Sequence, residues 1–322
     1  MELIKPNRLC AGDVIATVSV SHGWAGDEDN AWRYELGKKH LEDSCELIVR
    51  PAPNSMRGSD YLSQNPQARA EDIMWAFENK DINAIIANVG GNDSIRILPF
   101  IDSAVIRNNP KIFIGMSDVM NINLLCLKAG LSTFYGPNLF TIAEAQEFHT
   151  YSKKWFKKAL FDASPIGVIE PANDNMGYEL IQGQGTVQGK LIGGHTGIVW
   201  LENEEIALST EDFEEAILFI EDIPEFFSPK HLGDFLNRLG NNDFLQRLNG
   251  IVIGKLSGNI SFEQHGAVIK NVVGNEYGLT NLPVLYGLNF GHISPICVLP
   301  YGATAEIDCE AKSFAILESG VI

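Results

Sequence analysis

The chain has 322 residues, of which 45% are hydrophobic, and its formal charge is −17. That length exceeds what one hydrophobic core usually supports and predicts two domains, while the negative charge disfavours nucleic acid and anionic membranes as partners. No apolar run reaches the roughly 20 residues of a spanning helix, and the N-terminus lacks a secretory pattern, so we expect a cytoplasmic protein.

The first half of the chain alternates strand and helix patterns. Apolar, β-rich runs occur at GDVIATVSV, CELIVRPAP, INAIIANV and KIFIGMSD. Helical patterns separate them, and the clearest is the amphipathic stretch PQARAEDIMWAFENKD. This order predicts an α/β domain with a mostly parallel, Rossmann-like sheet between helices, as in class I amidotransferases. Ligands of such sheets bind at the carboxyl ends of the strands.

The second half follows a different pattern. We predict a linker at 166–185, because this stretch is rich in Pro, Gly, Asn and Asp. Short β-rich runs between glycine turns follow it, interrupted by one helical stretch, HLGDFLNRLGNNDFLQRL. The sequence therefore predicts an α/β domain at 1–165 and a smaller β-rich domain with a curved or barrel-like sheet at 186–322.

Ser117 lies where a predicted strand, KIFIG, passes into a predicted helix. A serine there is either an ordinary helix N-cap or a nucleophile on a sharp turn, and the motif GMSD lacks the second glycine of GxSxG. A glycine turn, Gly90 and Gly91, follows the preceding strand and should reach the same sheet edge. That turn is either a plain tight turn or a source of N–H donors for an oxyanion.

Glu221 and His292 each follow an apolar strand in the second half. A serine nucleophile needs a base and a group that orients the base, and Ser, Glu and His in this order supply all three roles. Each residue alone is more often structural. The five cysteines contain no CxxC pair and the seven histidines no HExxH pattern, so the sequence indicates neither disulfides nor a metal.

Taken together, these segments resemble the LD-carboxypeptidase and microcin C immunity (MccF-like) family of serine peptidases over nearly the whole chain. The matching stretches run in family order: GDVIATVSVS, GGNDSIRILPFID, NPKIFIGMSD, LSTFYGPN, GTVQGKLIGGHTG, LFIEDI and NFGHISPICVLPYG. The resemblance implies a Ser–Glu–His peptidase or amidase, without metal or organic cofactor, that is cytoplasmic and forms a homodimer.

The resemblance also implies roles for single residues. Ser117 becomes the nucleophile, His292 the general base and acid, and Glu221 the residue that orients the imidazole. The remaining implied roles are oxyanion donors at Gly91 and Asp118 and substrate contacts at Gly90, Asn92 and His195. The site would lie between the two domains, with Ser117 from the first and its partners from the second.

Two substrates compete within this family. MccF-like members cut the amide between an aminoacyl or peptidyl group and a nucleotide, and the elbow region of this chain looks closer to theirs. LD-carboxypeptidases release D-alanine from murein tetrapeptide. The chain departs from the MccF-like pattern at Met116, at His195 and in its linker, which contains no tryptophan to stack on a nucleobase. A two-domain ligand-binding protein without chemistry is the non-enzyme alternative.

Overall fold

Two β-sheets organise the protein in a computed structural model that describes residues 3–172, 177–197, 202–255 and 262–322. The strands are β1 Val14–Val18, β2 Ile48–Pro51, β3 Ala84–Ala87, β4 Ile112–Gly115, β5 Phe134–Tyr135, β6 Gly167–Val168, β7 Glu179–Gln182, β8 Thr186–His195, β9 Ile217–Glu221, β10 Gly250–Gly254, β11 Val284–Leu288, β12 Leu299–Pro300, β13 Thr304–Asp308 and β14 Ser313–Ile316. The α-helices are α1 Ala31–Cys45, α2 Ser59–Gln64, α3 Pro66–Glu78, α4 Ser103–Asn108, α5 Met120–Lys128, α6 Leu139–Ile142, α7 Thr150–Leu160, α8 Pro229–Asn241 and α9 Phe262–Ile269.

The first sheet has the strand order β12-β5-β4-β3-β1-β2. Strands β1 to β5 pair in parallel, and β12 is antiparallel to β5. Every residue of β3 and β4 is buried, as expected for continuous apolar runs covered on both faces. Because β3 and β4 are parallel neighbours, the turns that follow them lie side by side at one sheet edge.

The second sheet has the order β6-β14-β13-β8-β9-β10-β11-β7. Its four central strands, β8 to β11, are parallel, and the outer pairs are antiparallel. The sheet is open, with β6 and β7 at its edges, rather than barrel-like. All five residues of β9 are buried, so Glu221 at its end is held away from bulk solvent.

The predicted fold class is confirmed, with a mostly parallel N-terminal sheet and a second sheet in the C-terminal part. The stretch at 166–185 contributes β6 and β7 to the second sheet, and the C-terminal half contributes β12 to the first. The helix expected after the glycine turn is a 3₁₀ helix, Ser94–Phe100, which contains Pro99. Every helix among the described residues is too short or too polar to cross a bilayer.

Candidate active site

Ser117 occupies a strained strand-to-helix turn. Its φ of +67° lies in the left-handed region, which costs a residue other than glycine about 1–3 kcal/mol. The turn is held from the first sheet: Met116 N–H donates to Asn138 Oδ1 at 3.1 Å, and Ser117 N–H donates to the Tyr135 hydroxyl at 3.2 Å. The Ser117 hydroxyl makes no hydrogen bond within the described chain and faces a cavity. This geometry is not that of a helix N-cap, and it is the geometry that a nucleophile elbow requires.

The glycine turn after β3 lies directly against the serine. A Cβ added to Gly90 would lie 2.7 Å from Ser117 Cβ and 3.0 Å from Ser117 Oγ. Only glycine therefore allows this close approach. Gly90, Gly91 and Asn92 line the same cavity as Ser117, as the sequence predicted for the two neighbouring turns.

His292 is fixed by the carboxylate of Glu221 through two hydrogen bonds. Its Nδ1 lies 2.8 Å from Glu221 Oε2, and its backbone N–H donates to the same oxygen at 2.9 Å. A Cβ on Gly291, whose φ is +85°, would collide with this carboxylate, so a glycine is required before the histidine. An ionised carboxylate only accepts, so Nδ1 carries the proton and Nε2 is left as the basic nitrogen.

The charges of the pair stabilise each other. Burial alone would raise the pKa of Glu221, but His292, with help from His195 and Tyr135, outweighs it and holds that pKa at about 2. Burial alone would lower the pKa of His292, but Glu221, helped by Asp222 and Glu144, raises it above its usual value. Glu221 is therefore ionised at neutral pH and His292 is a strengthened base.

Tyr135 connects the elbow to the glutamate and was not predicted from the sequence. Its buried hydroxyl donates to Glu221 Oε1 while accepting the N–H of Ser117. Burial, followed by the charge of Glu221, raises its pKa well above 10, so the hydroxyl keeps its proton. The segment LSTFYGPN was the available signal, but nothing in its local pattern indicates a partner in another sheet.

A cavity of about 770 Å³ contains both Ser117 and His292. Two exposed aromatic side chains line it, Trp24 at 39% and Phe226 at 66% exposure. Arg33 is the one Lys or Arg side chain among the described residues of its wall. No residue of 166–185 that the structure describes lines this cavity. Its size suits a small peptide or a nucleotide conjugate.

His195 lies next to His292 but does not line the cavity that contains Ser117. Its ring centroid is 5.2 Å from that of His292, with the rings nearly perpendicular. Its Nε2 lies 3.2 Å from Asp222 Oδ1, and its Nδ1 accepts from the Gly197 N–H at 3.0 Å. His231 contacts the other oxygen of Asp222 at 3.2 Å. The adjacent residues Glu221 and Asp222 thus serve different histidines, a division that the sequence did not reveal.

Comparison with known proteins shows that the chain is similar to peptidases. The LD-carboxypeptidase N-terminal domain matches residues 15–136, and the LD-carboxypeptidase C-terminal domain matches residues 188–307. The chain is 29% identical to a probable murein peptide carboxypeptidase of Bacillus subtilis, over 98% of this chain and 95% of that protein.

Two further relatives carry the MccF name. The chain is 27% identical to the microcin C7 self-immunity protein MccF of Escherichia coli, over 80% of each chain. An MccF-like protein from Streptococcus pneumoniae, solved in complex with AMP, superposes with a TM-score of 0.85 at 26% identity and covers 95% of this chain and 98% of its own.

Proposed function

The chain belongs to the LD-carboxypeptidase family of serine-type peptidases, and we propose that it hydrolyses the amide joining an aminoacyl or peptidyl group to a nucleotide. The observation that carries the hydrolytic part is the Glu221–His292 pair beside the Ser117 elbow in one cavity. The nucleotide part rests on the AMP complex of the Streptococcus pneumoniae relative and on two aromatic walls, Trp24 and Phe226, able to stack on a base.

In the proposed reaction, His292 Nε2 takes the hydroxyl proton of Ser117 as Oγ attacks the amide carbon. The N–H groups of Gly91 and Asp118 stabilise the oxyanion that forms. His292 then gives the proton to the leaving nitrogen, and an acyl-serine remains. A water molecule, deprotonated by the same imidazole, releases the acid and restores the serine. Glu221 keeps the imidazole in the Nδ1–H form throughout.

Release of D-alanine from a murein tetrapeptide is the second candidate. The Bacillus subtilis relative carries the matching name, and the same triad would serve. Arg33 in the cavity wall could bind the terminal carboxylate of such a peptide, but it would equally bind the anionic linkage of a nucleotide conjugate. The proposal further includes a cytoplasmic location and a homodimer, which fractionation and light scattering can test.

The test compares the protein with its Ser117→Ala and His292→Ala variants on two substrates, an aminoacyl sulfamoyl adenosine and a murein tetrapeptide, with products followed by mass spectrometry. Serine-dependent release of the amino acid from the adenosine conjugate supports the proposal. D-alanine release alone would assign the second function. Turnover that survives in both variants would refute the triad.

A further inference from the structure

A second cavity, of about 320 Å³, abuts the main one. The two share Gly91, Asn92, Ile223 and Phe226 in their walls. The side chains that line only this side chamber include Asp118, Asn121, His195, Asp222 and His231. The chamber therefore opens beside the nucleophile but has polar walls of its own.

Asp118 contributes one satisfied and one unsatisfied carboxylate oxygen. Its Oδ2 accepts from Ser21 Oγ at 2.6 Å and from the N–H groups of Asp93 and Ser94 at 3.0 and 3.1 Å. Its Oδ1 is buried and has no hydrogen-bond partner among the described residues. That oxygen lies close to the serine, because a Cβ on Gly90 would be 3.4 Å from Asp118 Oδ1 and 3.0 Å from Ser117 Oγ.

Asn121 adds a second unmatched acceptor. Its Nδ2 donates to Ser94 Oγ at 2.9 Å, and this hydroxyl in turn donates to the Asp118 carbonyl at 2.7 Å. The amide orientation is fixed by this chain, so the atom left over is the oxygen. Asn121 Oδ1 is buried without a partner in the described part of the protein. Buried acceptors without donors are unfavourable, and a ligand with several N–H groups would satisfy both.

The charges of the chamber favour a cation. Asp222 is already occupied: its Oδ1 lies 3.2 Å from His195 Nε2, and its Oδ2 lies 3.2 Å from His231 Nε2 and accepts from the Thr196 hydroxyl. No Lys or Arg stands among the described residues of the wall. The guanidinium of Arg69 attracts the Asp118 carboxylate through space, but its ion pair is with Asp93, at 2.7 Å between Nη2 and Oδ2.

A metal ion does not suit the site, because no three His, Cys, Asp or Glu side chains among the described residues are arranged as metal ligands. An ammonium group, with three donors and a positive charge, matches two acceptors of which one is a carboxylate.

We propose that the side chamber binds the free α-ammonium group of the acyl half of the substrate. This inference rests on the proposed function and deepens it. The α-nitrogen is two bonds from the carbon that Ser117 attacks, so an acyl group placed at Oγ brings its ammonium to Asp118 Oδ1. A murein peptide carries an acylated α-nitrogen at this position and lacks the charge. The substrate class is therefore a single, unblocked aminoacyl group.

The test uses two conjugates that differ only in the amine, alanyl sulfamoyl adenosine and propanoyl sulfamoyl adenosine. We expect wild-type kcat/KM to be about 10- to 100-fold higher for the alanyl compound, as for a hydrogen bond to a charged group. In Asp118→Asn, the amide oxygen takes the place of Oδ2 and still accepts from Ser21, Asp93 and Ser94. The amide NH₂ takes the place of Oδ1 and repels the ammonium. In this variant we expect the preference to fall to within about threefold. The matched control, Asp72→Asn, alters a buried carboxylate that lines neither cavity and should retain the preference.

Equal turnover of the two conjugates by the wild type, or a preference that persists in Asp118→Asn, would overturn the ammonium site while leaving the amidase intact. If neither conjugate is cleaved, the nucleotide part of the proposed function fails by itself. The site is then judged on alanyl and propanoyl 4-nitroanilides, for which the same preference supports it and equal or absent turnover overturns it.

Discussion

Removing the hydroxyl of Tyr135 should weaken both the fold and the reaction. Tyr135→Phe keeps the ring, whose centroid lies 5.5 Å from that of Phe219. It deletes only the hydroxyl that links Glu221 to the N–H of Ser117. The change leaves Glu221 Oε1 and the Ser117 N–H buried without their partner. The buried glutamate then loses one of the interactions that lower its pKa.

The magnitude follows from the charge of the acceptor. A hydrogen bond to a charged group contributes about 1.5–3 kcal/mol, and a bond to a neutral carbonyl about 0.5–1.5 kcal/mol. We expect Tyr135→Phe to lower the free energy of unfolding by about 2–3 kcal/mol at neutral pH. If a similar energy is lost in the transition state, kcat/KM falls about 30- to 150-fold.

The pH dependence of this loss has a defined sign. The pKa of Glu221 is lowered from 4.5 to about 2, so its ionised form stabilises the fold above pH 4.5, and this contribution is lost as the pH falls toward 2. The stability difference between Tyr135→Phe and wild type should therefore shrink over that acidic range. It should remain constant from pH 5 upward to about pH 7.

Tyr301→Phe is the matched control. Tyr301 is equally buried, and its hydroxyl donates to the neutral Gly193 carbonyl at 3.0 Å. Urea unfolding at several pH values and kcat/KM on the alanyl conjugate measure the two effects. If Tyr135→Phe is no less stable than Tyr301→Phe and keeps its kcat/KM within twofold of wild type, Tyr135 does not support the triad.

Three further outcomes are expected. Gly291→Ala should lower the free energy of unfolding by about 3 kcal/mol and kcat/KM at least 100-fold, because the new Cβ collides with the Glu221 carboxylate and the φ of +85° disfavours alanine. A fully active, stable variant would contradict this. The raised pKa of His292 should place the acid limb of the kcat/KM profile above pH 6.5. Asp222→Asn should move that limb to lower pH, and an unmoved limb would show that Asp222 does not raise the pKa of His292. The same ion pair stabilises the fold below pH 6.5 and loses this effect as pH rises through the folded pKa of His292. Trp24→Ala should raise KM for the adenosine conjugate about 5- to 100-fold, with a smaller change for a 4-nitroanilide, and equal changes for both would argue against stacking.

The sequence was sufficient for the features that depend on local pattern. Continuous apolar runs predicted β3, β4 and β9, and residues directly after such runs, Ser117 and Glu221, are where the structure assembles the candidate site. This works because parallel strands bring their carboxyl ends to one edge.

Features that depend on contacts between residues far apart in the sequence could not be predicted. Tyr135 and Glu221 are 86 residues apart, and no local pattern pairs them. The same holds for the Asp222 contacts with His195 and His231. Strands β6 and β7 were not predicted from the sequence, because they are short edge strands in a stretch whose Gly, Pro and Asn content is typical of loops.

Strand β12 has a consequence for the newly made chain. It pairs Leu299 with Tyr135, so the edge of the first sheet that carries Tyr135 is incomplete until Leu299 has left the ribosome. At roughly 5–20 residues per second, the interval between the two residues is on the order of 10–30 seconds. A truncated product that retains Ser117 therefore lacks this support for its elbow as well as the histidine. The proposed triad therefore predicts no hydrolysis by fragments that end before His292.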